Sequence, residues 1–316
     1  MAAKVFIDGK EGTTGLRIFD RLTGRADVTL LTLPEEVRKD PEARRARLHE
    51  ADIAILCLPD AASRESVALA AGSDVRILDT STAHRTLDGW SYGFPELSAA
   101  HRRAVTEGAR VAVPGCHASG FIALVTPLVQ AGLLPEDAQL SCFSLTGYSG
   151  GGRKMIAQYE AASRNAELDS PRQYGLTQAH KHLPEMRKIS GLAHEPIFAP
   201  IVGDFYSGME VTVPLFAAQL RVREHPVEAV RACLKAHYAG SPVVRVLDDG
   251  ETSALGGFIG ANALAGLDSM ELMVIGNDER LELVSRFDNL GKGSSGAALQ
   301  CLNLMLGAEE TTGLAL

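Results

Sequence analysis

The chain has 316 residues, 46% of them hydrophobic and 22% charged, a composition that can fill the cores of about two globular domains. Its formal net charge is -8 at pH 7 without a long run of lysine and arginine, so neither nucleic acid nor an anionic membrane is expected as a partner. The apolar run at the N-terminus is too short for a signal peptide, and five scattered cysteines without zinc-ligand spacing predict a cytoplasmic protein with neither disulfides nor a bound metal.

The first part of the chain alternates short apolar segments with helical patterns. Strands are predicted at residues 4–7, 28–33, 51–58 and 75–78, with one helix ending near residue 22 and others at 34–50 and 61–71. The run 51–58 is apolar throughout, as expected for a strand buried on both faces of a sheet. The basic residues at 44, 45 and 47 are expected on the solvated face of a helix. The alternation predicts an α/β fold, with a Rossmann-type parallel sheet in this domain.

A glycine-rich turn joins the first strand to the first helix, with the spacing Gly9-x-x-Gly12-x-x-Gly15. Glycine permits a tight turn and a close approach of the backbone to a pyrophosphate, while the helix start supplies N–H donors. Thr13 and Thr14 fall at that helix start, where their hydroxyls can cap the helix or bind phosphate. The turn therefore predicts dinucleotide binding; the alternative is a turn that only connects strand and helix.

The second predicted strand ends in Leu31-Thr32-Leu33, without an acidic residue at its tip. An acid in this place normally holds the ribose 2′-hydroxyl of NAD, so its absence favours NADP(H) as the cofactor. Arg38 or Lys39 could then meet the 2′-phosphate, although either residue can equally be a solvated helix charge.

Beyond about residue 115 the apolar stretches become longer and alternate with polar residues. Strands are predicted at 140–145, 209–215 and 272–275, with helices at 226–238 and 294–306. We assign residues 1–115 to a dinucleotide-binding domain and 116–293 to an α+β catalytic and oligomerisation domain with a mixed sheet. The helix within 294–316 is expected to pack back onto the first domain, although its sequence would also allow docking on the second.

Cys116 stands where a short apolar strand ends in Pro114-Gly115 and a helical pattern begins. Backbone N–H groups at a helix start carry partial positive charge, which favours a thiolate over a thiol. Because the thiolate is the nucleophilic form, Cys116 is a candidate for covalent catalysis. The alternative is a small buried hydrophobic residue, the usual role of a cysteine outside a disulfide.

Two imidazoles, those of His180 and His182, stand two residues apart before a Leu-Pro-Glu segment. Beside a thiolate, either could act as a general acid or base, since the unperturbed pKa of histidine lies near neutral pH. The alternatives are a solvated surface loop and a metal site, and no further ligand cluster near in sequence supports the metal. His117 is expected to face away from the thiol of Cys116, because neighbours on a helix do not share a face.

Two glycine-rich segments carry basic residues. The first, residues 146–154, holds four glycines and ends in Arg153 and Lys154. The second, residues 288–296, contains Asn289 and Gly291 and enters a helix. Such loops suit the recognition of phosphate or carboxylate. The alternatives are an exposed hairpin and an ordinary helix cap.

Taken together, these motifs resemble one enzyme family. The glycine turn, Pro-Gly-Cys-x-x-x-Gly, His-x-His-x-Pro-Glu, Gly-Gly-Gly-Arg-Lys and Asp-Asn-Leu-Gly-Lys-Gly-x-x-Gly resemble the N-acetyl-γ-glutamyl-phosphate reductases. The short chain and its opening segment resemble their shorter type, and the resemblance runs from Val5 to Met305. The chain departs from the longer type where His117 follows the cysteine in place of tyrosine, and where Leu78 to Arg85 read Leu-Asp-Thr-Ser-Thr-Ala-His-Arg.

The resemblance implies NADPH-dependent reduction of N-acetyl-γ-glutamyl phosphate to N-acetylglutamate 5-semialdehyde, a step of arginine biosynthesis, by a homodimer or homotetramer. Cys116 would carry the acyl group as a thioester, and His182, preferred to His180, would act as the acid/base. The other site residues that it implies are, for the substrate, Arg85, Arg153 and Lys154 and, near the cofactor, Ser81, Asn289 and Gly291. Aspartate-semialdehyde dehydrogenase, with the same nucleophile and cofactor, is the alternative; a Cys/His hydrolase and a nucleotide-sensing protein are less favoured.

Overall fold

The computed structural model describes residues 2–316, which fall into two compact units. The first unit joins the chain up to Pro114 with Ser294–Leu314, and the second consists of Gly115–Gly293 with Ala315–Leu316. The strands are β1 (Ala3–Asp8), β2 (Val28–Leu31), β3 (Ile53–Leu56), β4 (Arg76–Asp79), β5 (Ser91–Tyr92), β6 (Arg110–Ala112), β7 (Ser141–Gly147), β8 (Arg172–Gln173), β9 (Ile197–Gly203), β10 (Met209–Phe216), β11 (Val244–Val246), β12 (Met270–Gly276) and β13 (Arg280–Phe287). The helices are α1 (Thr13–Leu22), α2 (Pro41–Glu50), α3 (Asp60–Leu69), α4 (Ala99–Glu107), α5 (Cys116–Gln130), α6 (Gly152–Tyr159), α7 (Leu183–Ser190), α8 (Pro226–His237), α9 (Asp249–Ser253) and α10 (Gly296–Leu306).

The first unit is built on a parallel sheet with the strand order β2-β1-β3-β4-β6-β5. Strand β3 reads Ile-Ala-Ile-Leu and is buried along its whole length, as expected where both faces of a parallel sheet are covered. Strand β1 pairs with β2 on one side and with β3 on the other, so the ends of β1 and β3 lie side by side. The predicted α/β fold with a Rossmann-type sheet is confirmed.

The helix predicted over residues 34–50 is shorter in the structure. A turn of 3-10 helix covers Glu35–Val37, and α2 begins only at Pro41. The Asp40 carboxylate accepts a hydrogen bond from the Ala43 N–H at 2.8 Å and so caps the helix. Asp-Pro is a strong helix-start signal, so the prediction of helix before residue 41 is wrong.

Helix α10 belongs to the core of the first unit, although the chain reaches it only after the second unit. Its buried residues, including Leu299 and Leu302, form one hydrophobic cluster with Val5, Ile18 and Val111. Burying a leucine stabilises a fold by about 1.5–3 kcal/mol, so α10 contributes strongly to this core. The helix begins two residues later than predicted, because residues 291–295 form a turn of π-helix.

The second unit contains a mixed sheet with the strand order β11-β12-β13-β10-β7-β9-β8, as the sequence predicts. Strand β10 runs antiparallel to β13 and β7, whereas β7 and β9 are parallel. Helix α5 packs on β10 and β13. Gly120 permits this approach, since a Cβ there would lie 2.5 Å from the Val211 side chain and from Ser285 Oγ.

The long uncharged segment 111–135 is divided between β6 and the buried helix α5. Within residues 2–316, no helix is both long enough and apolar enough to cross a membrane.

Candidate active site

Cys116 is the first residue of α5, and the turn before it is tied to helix α7. The Gly115 N–H donates a hydrogen bond to Glu185 Oε2 at 3.2 Å, and Glu185 is 1% exposed. Gly293 packs closely here, because a Cβ at that position would lie 3.0 Å from the Cβ of Cys116. The thiol residue is therefore held in a fixed turn at a helix start, where backbone N–H groups place partial positive charge.

The two predicted histidines lie in one cluster of rings with His117 and Tyr174. Ring centroids are 4.7 Å apart for His180 and His182, 5.5 Å for His117 and His182, and 5.7 Å for His117 and His180. The Tyr174 ring lies 6.1 Å from His117 and 6.0 Å from His180. His182 is 5% exposed, so the solvated-loop alternative is wrong, and His117, which is 3% exposed, lies in the same cluster of rings.

Burial keeps two of these imidazoles neutral. Burial, followed by the charges of His180 and Lys181, lowers the pKa of His117 from 6.5 to about 3. Burial, followed by the charge of Lys181, lowers the pKa of His180 to about 4. His180 Nδ1 accepts a hydrogen bond from the backbone N–H of His182 at 3.2 Å, so the proton of the neutral ring lies on Nε2. At neutral pH, His180 is therefore a hydrogen-bond donor rather than a cationic acid.

His182 has a carboxylate behind it. Its Nε2 lies 3.9 Å from Glu185 Oε1, while the other oxygen of the same carboxylate accepts the Gly115 N–H. A single buried acid thus links the imidazole to the turn that precedes Cys116. This arrangement can orient the histidine for proton transfer.

The glycine turn of the first unit closes tightly on strand β3. Gly9 has φ +89°, and a Cβ there would lie 2.4 Å from the Cys57 carbonyl oxygen. A Cβ on Gly15 would lie 2.5 Å from the Gly9 carbonyl oxygen, so α1 can start at Thr13 only with glycine in these places. The Thr14 hydroxyl lies 3.0 Å from Ser294 Oγ. This is the strand–turn–helix arrangement in which a dinucleotide pyrophosphate binds.

A cavity of about 510 Å³ opens beside this turn, wholly within the first unit. Its lining includes Gly9, Thr32, Arg38 and Lys39. Its floor includes Arg44, which is 5% exposed and donates to the buried Asp8, so the solvated-face prediction for this residue is wrong. The cavity has the size of a small-molecule site and carries two exposed cations at its rim.

Ser81 and Arg85 lie in a loop organised around Asp79 at the end of β4. Asp79 is fully buried and accepts from Ser81 Oγ at 2.7 Å, and it faces His84 Nδ1 at 2.6 Å. The His84 ring stacks on Trp90 at 4.1 Å. Arg85 donates to backbone carbonyl oxygens at residues 80 and 113. These contacts make the loop rigid, because the buried Asp79 holds Ser81 and His84 in place and Arg85 is fixed to the backbone.

The glycine-rich segments meet each other in the second unit. Asn289 donates through Nδ2 to Ser149 Oγ at 3.0 Å and accepts the Gly208 N–H at 2.9 Å. A Cβ at Gly291 would lie 2.0 Å from a backbone oxygen, so packing alone accounts for this glycine. Arg153 and Lys154 are exposed on the first turn of α6.

In the second unit, the structure places His180 and His182 beside His117, the residue after Cys116, and connects the turn before Cys116 to His182 through Glu185. The glycine turn and its cavity lie in the first unit. Sequence reasoning missed His117, Tyr174 and Glu185 as members of the histidine site. The available signal was the glutamate of His-x-His-x-Pro-Glu, which is also ordinary at a helix start. Among residues 2–316, no group of three or more His, Cys, Asp or Glu is arranged to hold a metal ion.

A dinucleotide-type unit and a Cys/His site on a mixed-sheet unit together define the class of semialdehyde dehydrogenases. Residues 4–105 match the family model "Semialdehyde dehydrogenase, NAD binding domain", and 116–289 match "Semialdehyde dehydrogenase, dimerisation domain". Aspartate semialdehyde dehydrogenase II from Vibrio cholerae has a similar fold, with a TM-score of 0.72 at 15% identity, covering 97% of this chain and 99% of that one.

Relatives in sequence are more specific. N-acetyl-gamma-glutamyl-phosphate reductase of Sinorhizobium medicae is 47% identical, covering 98% of this chain and 100% of the relative. N-acetyl-gamma-glutamyl-phosphate reductase 2 of Pseudomonas putida is 45% identical, covering 98% of each chain. The chain belongs to the N-acetyl-gamma-glutamyl-phosphate reductases of the semialdehyde dehydrogenase family, and the predicted resemblance is confirmed.

Proposed function

We propose that this enzyme reduces N-acetyl-γ-glutamyl phosphate to N-acetylglutamate 5-semialdehyde with NADPH, releasing phosphate, as a step of arginine biosynthesis. The observation that carries this function is the thiol at the start of α5, with Glu185 joining its turn to a buried histidine. The substrate is inferred from the relatives of this chain at 45–47% identity, which are named N-acetyl-gamma-glutamyl-phosphate reductase.

In the proposed reaction, the Cys116 thiolate attacks the acyl carbon, the carbon–oxygen bond to phosphate breaks, and a thioester remains. Bound NADPH supplies the hydride that reduces this carbonyl. His182 gives a proton to the alkoxide, forming a thiohemiacetal. The same histidine then takes the hydroxyl proton back as the carbon–sulfur bond breaks, which releases the aldehyde and restores the thiolate.

The two histidines divide the work. His182 is proposed as the acid/base, because the Glu185 carboxylate lies beside its ring and can hold it in a fixed orientation. His180, neutral through burial with its proton on Nε2, is proposed as a donor to the carbonyl oxygen. Backbone N–H groups at the start of α5 supply further donors.

The nicotinamide cofactor is proposed to lie with its adenosine half in the cavity of the first unit. The turn through Gly9, Gly12 and Gly15 suits the pyrophosphate, helped by Thr13 and Thr14. We further propose Ser81, Asn289 and Gly291 as residues near the cofactor. Asn289 acts indirectly, because its hydrogen bond to Ser149 holds the glycine-rich segment in place. The cations Arg38 and Lys39 on the cavity lining favour NADP over NAD.

The acidic substrate calls for cations near the thiol. We keep Arg153 and Lys154 as ligands of its carboxylate or phosphate, since they follow a glycine turn and remain exposed. Arg85 is proposed as a third, on a loop that its own bonds to backbone oxygens make rigid.

The enzyme is proposed to form a homodimer through the mixed sheet. Phe143, Ile197 and Phe216 are 49%, 67% and 64% exposed, and the strand register places them on one sheet face, opposite to α5. A patch of this kind marks an interface, and the matching family model describes this half as a dimerisation domain. Sedimentation of a Phe143→Asp variant at monomer mass would agree, whereas an unchanged dimer would exclude this face.

The reverse reaction tests the proposed function with stable reagents. Phosphate-dependent reduction of NADP is measured with N-acetylglutamate semialdehyde and with aspartate semialdehyde. We expect a strong preference for the acetylglutamyl compound, and preference for the aspartyl compound would refute the assignment. Cys116→Ser is expected to abolish turnover while NADPH binding is retained. Cys233→Ser is the matched control and should remain active, because the Cys233 thiol only donates a hydrogen bond to a backbone carbonyl of α5.

A further inference from the structure

A second chain of hydrogen bonds runs through the histidine cluster, apart from the pair of histidines and the glutamate used above. His117 Nδ1 lies 2.6 Å from Ser144 Oγ, and His117 Nε2 lies 2.6 Å from the Tyr174 hydroxyl. The three side chains come from α5, β7 and the segment after β8, so the fold assembles them from distant parts of the sequence.

The burial of Ser144 fixes the direction of this chain. Its side chain is fully buried, and within residues 2–316 its hydroxyl has one hydrogen-bond partner, His117 Nδ1. A buried hydroxyl proton without an acceptor is costly, so Ser144 donates to Nδ1. The neutral imidazole then carries its proton on Nε2 and donates it to the Tyr174 oxygen.

Tyr174 accepts that proton and still has its own hydroxyl proton to donate. The neighbouring His180 ring is not an acceptor, since its Nδ1 is occupied by a backbone N–H and its Nε2 is protonated. The Tyr174 hydroxyl is hydrogen-bonded to His117, which directly follows Cys116 at the start of α5, and burial, followed by the charge of Cys116, raises the pKa of this hydroxyl. A phenol that feels this charge is placed to stabilise it.

We propose that Tyr174 donates a hydrogen bond to the Cys116 thiolate, and that Ser144 and His117 are positioning residues that direct this donor. The proposal rests on Cys116 being the nucleophile of the proposed function. In the resting enzyme the hydrogen bond holds the sulfur as a thiolate and orients it. Once the sulfur is acylated and its charge is gone, the same donor can turn to the carbonyl oxygen.

Several other charged or titratable groups lie on the segments next to the Cys116 turn and stay constant in the test. They are His180, Lys181, His182 and Glu185 at the histidine segment, and Asp288 and Lys292 beside the glycine that packs on Cys116.

The test is the pH dependence of Cys116 alkylation by iodoacetamide in the full chain, followed by mass spectrometry of its peptide. In Tyr174→Phe, we expect the midpoint of thiolate formation to rise by about one to two pH units, the size of a hydrogen bond to a charged group. Tyr206→Phe, which alters a half-exposed tyrosine of the same unit, should match the wild type. An unchanged midpoint in Tyr174→Phe overturns the proposal.

Ser144→Ala tests the relay without touching the thiol or the phenol. With its hydroxyl removed, His117 can carry its proton on Nδ1 and accept the Tyr174 proton on Nε2, so the midpoint should rise here as well. A shift in Tyr174→Phe without one in Ser144→Ala overturns the role of Ser144 and His117. Alkylation needs no acyl phosphate, so the two proposals can fail separately. If the wild type is inactive toward N-acetylglutamate semialdehyde, only the proposed function is refuted. If the wild type is active but the alkylation midpoint shifts in neither variant, only the present inference is refuted.

Discussion

His117 makes the second unit sensitive to acid, and the effect can be calculated. Its side chain is 3% exposed, and burial lowers its pKa from 6.5 to about 3. Between these pH values the unfolded chain binds a proton on this residue that the folded chain does not. The stability that depends on neutral His117 is therefore complete above pH 6.5 and is lost as the pH falls toward 3.

Each pH unit in this interval corresponds to about 1.4 kcal/mol for one group. From pH 7 to pH 5, His117 should lower the free energy of unfolding by about 2 kcal/mol, since titration begins only near 6.5. His117→Gln keeps a donor and an acceptor but does not titrate. We expect the wild type to lose about 2 kcal/mol more than this variant over the same pH change.

Urea unfolding at the two pH values measures this difference. Circular dichroism is the suitable signal, because the single tryptophan, Trp90, lies in the first unit. His194→Gln, which removes an exposed histidine of the second unit, is the control and should behave as the wild type does. Equal losses in the wild type and in His117→Gln would refute the reasoning from burial.

Three further predictions follow from the site. Gly9→Ala should destabilise the first unit by about 2–4 kcal/mol, because the added Cβ would lie 2.4 Å from a carbonyl oxygen. Gly24→Ala is the control: its φ is also positive, at +85°, but the added Cβ meets open space, so the variant should cost only about 1 kcal/mol. Urea unfolding followed by tryptophan fluorescence measures both losses, and equal losses would refute the role of the close contact at Gly9. Glu185→Gln keeps an acceptor for the turn before the thiol but removes the charge behind the histidine, so kcat should fall roughly ten- to hundredfold, and an unchanged kcat would exclude a role for that charge. The double change of Arg38 and Lys39 to alanine should raise KM for NADPH by roughly tenfold or more and leave KM for NADH unchanged, and an equal change for both cofactors would place the 2′-phosphate elsewhere.

The elements that the sequence predicts well are those whose signal is local. The continuous apolar run of β3 and the glycine turn at Gly9 each depend on neighbours in sequence, and both occur as predicted. The start of α2 also has a local signal, because Asp40 before Pro41 is typical of a helix start, although the predicted helix begins too early, at residue 34.

The parts of the site that the sequence does not reveal depend on distant segments. Neighbours on one helix do not share a face, yet His117 joins the histidine cluster, because Tyr174 and Ser144 are brought to it from other elements. Arg44 looks like a solvated helix charge until Asp8 is seen buried beneath it. In both cases the deciding partner is more than 25 residues away in the chain.

The discontinuous first unit has a consequence for synthesis in the cell. Its core needs α10, yet the ribosome makes all of residues 115–293 before that helix. At roughly 5–20 residues per second, this delay lasts on the order of ten to thirty seconds. During that interval, the apolar side chains that pack against α10 in the folded unit, among them Val5 and Val111, lack this packing partner. The nascent chain is then a natural client for a chaperone, and codon changes that slow translation of the second unit should lower the yield of folded enzyme.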